Sequence, residues 1–114
     1  MQPILTVRFY CSSTGTEPVR DWLKTQVSAD ARKEIGADIK TVQFGWPIGM
    51  PVVRKMESGL WEVRSNIAEG IARVFFTVVA ADMILLHGFV KKSSGTPNKE
   101  LELARKRMKE VKNE

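Results

Sequence analysis

Six cationic side chains stand where strands are expected, and their chemistry is that of phosphate recognition. Arg54 and Lys55 fall in one β-forming stretch, Arg64 in the next and Arg73 in a third, while Lys91 and Lys92 close a fourth. Lys and Arg are rarely buried, and one face of each strand must carry the core. If helices cover one face of the sheet, these groups can converge on the other, concave face. Guanidinium offers bidentate geometry to a phosphate, and ammonium a point charge. A pocket of that kind can cut RNA without a metal. The 2′-hydroxyl attacks the adjacent phosphorus, and the step needs a proton acceptor, a proton donor and cations for the developing charge. The plain alternative is six solvated residues on an exposed sheet face.

Two further residues carry proton chemistry. Glu62, between Trp61 and Val63, is expected on the same side as Leu60 and Arg64, where a salt bridge with Arg54 or Arg73 is the simple reading. His87 lies inside the apolar run Leu85-Leu86-His87-Gly88-Phe89, which fits a hydrogen-bonded structural histidine better than a general base. Trp61 reads as sheet packing, although RNA readers do stack bases on aromatics. Trp46, next to Pro47, reads as a hydrophobic plug. There is no phosphate-binding glycine loop and no Ser/His/Asp arrangement of useful spacing. With one histidine and one cysteine, a His/Cys metal site is nearly excluded, and no cofactor is implied.

The elements that must position these groups fit one domain spanning residues 1–114, a length suited to a single core. Net charge is +5, and the excess is uneven. Six Lys/Arg face five Asp/Glu up to Val52, against twelve and eight from Val53 onward. A basic surface favours polyphosphate partners but does not prove one. The single cysteine, Cys11, cannot form an internal disulfide, and the N-terminal residues lack a signal-peptide pattern. Apolar runs at Val74–Ala81 and Met83–Leu86 are too short to span a bilayer. The expectation is a cytoplasmic protein with no membrane association.

Ile4 to Tyr10 reads as a first strand, then Ser12-Ser13-Thr14-Gly15-Thr16 as a break. Pro18 suits the first position of a helix whose apolar face is Val19, Trp22 and Leu23. Ser28 or Asp30 can cap a second helix running to about Phe44, with Ile35, Ile39 and Val42 as its stripe. Gly45, Pro47, Gly49 and Pro51 form a rigid connection. Four strands follow, Val52 to Met56, Gly59 to Ser65, Ile71 to Val79 and Met83 to Val90, with short turns that require antiparallel pairing. Thr96 and Pro97 are expected as N-cap and first residue of a last helix with Leu101, Ala104, Met108 and Val111 inward. The pattern is α+β, β-α-α-β-β-β-β-α, with two N-terminal helices and a C-terminal helix on one side of a curved antiparallel sheet.

An ordered series across the second half of the chain carries a family resemblance. Gly59-Leu60-Trp61-Glu62-Val63-Arg64, Ile71-Ala72-Arg73-Val74-Phe75-Phe76, Leu85 through Ser93, and Thr96-Pro97 with Glu100 resemble the phage-derived (Gp49-like), HigB-like branch of the RelE/ParE toxin superfamily. The resemblance implies a type II toxin that enters the ribosomal A site, cleaves mRNA during translation and is neutralised by an antitoxin, often a helix-turn-helix protein of the HigA kind. It implies that Arg73 contacts the scissile phosphate and that Lys92, with Lys91 beside it, is a second phosphate-stabilising group. Arg64 ends the matching strand, and Lys55 lies where this branch places a basic residue near the active site. Such enzymes often carry a lysine where this chain has Glu62, and a late tyrosine where it has none; Tyr10 is the only tyrosine. Glu62, His87 or a lysine are the proton-transfer candidates. On this reading, Arg73→Ala abolishes growth arrest and leaves the fold intact. A ParE-like gyrase inhibitor and a non-toxic, antitoxin-binding remnant are the alternatives on the same fold.

Overall fold

The computed structural model describes residues 2–91 and 96–113. Their order is β1 (Thr6–Phe9), α1 (Pro18–Thr25), α2 (Ala29–Gly45), β2 (Val53–Glu57), β3 (Leu60–Ile67), β4 (Gly70–Val79), β5 (Asp82–Lys91) and α3 (Asn98–Lys112). The five strands make one sheet in the order β1-β5-β4-β3-β2. The α+β order read from the sequence therefore holds. β2 to β5 form an antiparallel meander, as their short turns demand. β1 does not follow that rule. It pairs parallel to β5, Thr6 to Asp82 through Phe9 to Leu85, because the chain passes through α1, α2 and three strands before β5 is laid down.

Local chemistry sets the helix ends. Pro18 opens α1, where its missing N–H costs nothing. Ser28, rather than Asp30, caps α2: its Oγ accepts the Ala31 N–H at 3.1 Å. Ala31, Ile35, Ile39 and Val42 are buried along one side of that helix. The expected cap of α3 is displaced. The helix starts at Asn98, with extended Pro97 at the N-cap and no side chain closing the turn. The Thr96 hydroxyl lies instead 3.5 Å from Arg73 Nη1.

Alternate residues of the same strands enter two different cores. Val63, Ala72, Val74, Phe76, Met83 and Leu85 pack with Val19, Ala31, Ile35, Ile39 and Val42 of α1 and α2. Leu60, Phe75, Leu86 and Phe89 pack with Ala104, flanked by Leu101, Met108 and Val111 of α3. The helices thus cover both faces, which corrects the expected one-sided arrangement. The cause is visible in β4. Its run Val-Phe-Phe-Thr-Val-Val is apolar on both sides, the pattern of a strand covered twice.

One contact fixes how α1 sits on the sheet. Trp22 lies over Gly88, so close that a Cβ there would fall 2.6 Å from the indole ring. Gly88→Ala is therefore expected to cost about 1–3 kcal/mol, the range for overpacking a filled core. A urea melt checks it; an unchanged midpoint would show that α1 can slide away freely. Among the described residues no helix is long and apolar enough to cross a membrane.

Candidate functional site

Residues directly opposite on neighbouring strands share a face of the sheet. Three successive rows run across the α3 side. The first is Arg54–Glu62–Phe75–His87, the second Arg64–Arg73–Phe89, the third Asn66–Ile71–Lys91. Six of the candidates named above, Arg54, Glu62, Arg64, Arg73, His87 and Lys91, are thereby gathered on one face. Lys55 is not among them. It pairs with Trp61, whose side chain joins the α1–α2 core, so Lys55 stands on the opposite face. Lys92 lies outside the described residues.

The centre of the face is an unequal charge cluster. Arg73 and Glu62 are both fully buried, and Arg73 Nη1 donates to Glu62 Oε1 at 2.9 Å. Arg64 Nε lies 4.0 Å from the same oxygen, its side chain 18 % exposed. Of the two partners anticipated for Glu62, Arg73 takes the ion pair. The second carboxylate oxygen, Oε2, is buried with no hydrogen-bond partner among the described residues. Two guanidiniums therefore share one carboxylate. Like charges set opposite each other across a ladder oppose folding, and each buried ion costs several kcal/mol of lost hydration. A phosphate would offset the repulsion by accepting from each guanidinium. Arg54 is exposed beside this centre, and Lys91, half-buried, edges it one row away.

His87 is held rather than free. Its Nε2 lies 2.8 Å from Glu100 Oε1, and its ring stacks at 6.3 Å from Phe75 and 5.8 Å from Phe89. This is the hydrogen-bonded histidine that the apolar run suggested. Its partner Glu100 was not singled out for that role, although an acid in the first turn of a helix was the available signal. Trp61 packs between Trp46 and Phe76, with centroids 4.9 and 5.8 Å away, and offers no stacking platform on the cationic face.

Tyr10 sits across β5 from the arginines. Its hydroxyl donates to Glu110 Oε2 at 3.1 Å and its ring lies 5.3 Å under the Arg107 guanidinium. Burial first, and then the bond to Glu110, push the phenol above its ordinary pKa, so it is a proton donor there and not an acceptor. A cavity of about 440 Å³ lined by Ser28, Asp30, Glu34, Asn66 and Glu69 is acidic, the wrong sign for a phosphate. Among the described residues no group of three or more His, Cys, Asp or Glu side chains could hold a metal ion.

A small α+β domain with paired arginines on one sheet face is thus the class that fold and site define. The family model described as phage derived protein Gp49-like (DUF891) matches residues 21–109. The chain belongs to that family, which is of the RelE-like, toxin–antitoxin toxin kind. A search of curated proteins finds no match.

Proposed function

We propose that the protein is the toxin of a type II toxin–antitoxin pair of the HigB-like branch, acting in the cytoplasm as a ribosome-dependent mRNA endonuclease. The observation that carries this reading is Arg64 opposite Arg73, with one buried carboxylate between them. Such a site suits a group that arrives already negative and gains charge as it reacts. The mRNA 2′-oxygen loses its proton and attacks the neighbouring phosphorus. The bond from phosphorus to the 5′-oxygen breaks, and that oxygen takes up a proton. Arg73 and Arg64 hold the phosphate oxygens, with Lys91, Lys92 and Arg54 adding positive charge around them. Glu62, His87 or a lysine of the face supplies the proton transfers. The partners are the ribosome with its mRNA and a helix-turn-helix antitoxin of the HigA kind.

Induced expression without the antitoxin, followed by primer extension on cellular mRNA, tests this. Growth arrest with codon-linked cuts is the expected result. Arrest with intact mRNA and DNA-damage signalling would replace the proposal with gyrase inhibition. Unchanged growth would leave an antitoxin-binding remnant.

A further inference from the structure

The cluster Arg64–Glu62–Arg73 is not built as a stability device. An arginine and a carboxylate can form a two-pronged pair, yet of the two Glu62 oxygens Oε1 takes the bond from Arg73 Nη1, and Oε2 is buried with no hydrogen-bond partner among the described residues. A cation stands directly opposite a cation, with the carboxylate in contact with one and 4.0 Å from the other. We infer that Glu62 is a resident stand-in for phosphate: it occupies Arg73 in the free protein and hands it over to an arriving phosphate, thereby setting the affinity of the site. The inference rests on the phosphate-site reading above, and it assigns Glu62 a positioning role that precedes any chemistry.

The handover follows from the geometry. Arg64, partly exposed and without a short bond to Glu62, meets the anion first. Phosphate held there is next to Arg73, its cross-strand neighbour. Arg73 then exchanges one anion for another, and Glu62 keeps Arg64 within 4.0 Å, so neither buried charge is left without a counter-charge. The wild-type protein is therefore a weaker phosphate binder than its two arginines allow, since every binding event must displace Glu62.

Inorganic phosphate titrated into the full chain, followed by NMR of the arginine Nε–H groups, tests this. In the wild type, Arg64 and Arg73 signals are expected to move together with one Kd. Glu62→Gln keeps the shape and removes the charge, and is expected to tighten phosphate binding about tenfold or more, equivalent to about 1.4 kcal/mol. Equal or weaker binding by a folded Glu62→Gln protein overturns the inference. If that variant does not fold, the wild-type titration decides alone: saturation of Arg64 with Arg73 unmoved overturns it. No ribosome enters the measurement. Tighter phosphate binding by Glu62→Gln, with a wild-type protein that cuts no mRNA, would overturn the proposed function and leave the handover standing. Codon-linked cleavage with Arg73 silent to phosphate would do the reverse.

Discussion

Arg73→Ala is expected to destabilise the protein by about 3–5 kcal/mol, the cost of leaving a buried charge without its partner. Arg73 and Glu62 are both fully buried and bonded at 2.9 Å, so removing the guanidinium strands the carboxylate and opens a cavity beside Phe75 and Phe89. The structure thus corrects the expectation that Arg73→Ala spares the fold. Loss of toxicity in that variant says little by itself, because a domain of this size has only about 5–15 kcal/mol of stability in total. The informative variant is the double change Arg73→Met with Glu62→Leu. Replacing a buried ion pair by apolar groups of similar volume is commonly neutral or stabilising. Thermal and urea melts should return to near wild-type values, while growth arrest stays lost. A double variant that folds and still arrests growth would remove Arg73 from the reaction.

Arg64→Ala is expected to separate activity from stability more cleanly. Its side chain is 18 % exposed and makes no bond shorter than 4.0 Å to Glu62, so less folding energy depends on it than on Arg73. Removing it also relieves the repulsion with Arg73 across the ladder. Stability should change by about 1–2 kcal/mol, well under the loss expected for Arg73→Ala. Cleavage of mRNA on programmed ribosomes should nevertheless fall by about 10²–10³, the loss typical when one stabiliser of transition-state charge is removed. Single-turnover cleavage assays with matched melts read both quantities. Undiminished cleavage would mean that the phosphate is held elsewhere on the face.

Much of this was legible in the sequence for identifiable reasons. Pro18, Ser28 and the apolar stripes of α2 and α3 act locally, so the helices could be read. Short turns forced the meander. The parallel pairing of β1 could not be read, since Thr6 and Asp82 meet only through the assembled fold. Two-sided burial was available in the run of β4, which is apolar on both faces and interrupted only by Thr77, where an alternating pattern would have contradicted it. The parity of Arg54 and Lys55 was available too: adjacent strand residues point apart, so only one could join the site. By contrast, the choice of Arg73 over Arg54 as the partner of Glu62 depends on the register set by the turn from Ile67 to Gly70. The Glu100 contact with His87 depends on where α3 docks and on the irregularity in pairing near Phe75 and Phe76. Neither is encoded in local spacing.

The double burial of β4 has a genetic consequence. Arg73 is rooted in a strand whose neighbouring side chains, Val74 and Phe76 on one side and Phe75 on the other, belong to separate cores. A lesion in either core shifts the same guanidinium. Survivors selected from cells forced to express this protein should therefore carry substitutions scattered through both apolar layers, at α1, α2 and α3 alike. Changes at the charged face itself should form a minority of that collection.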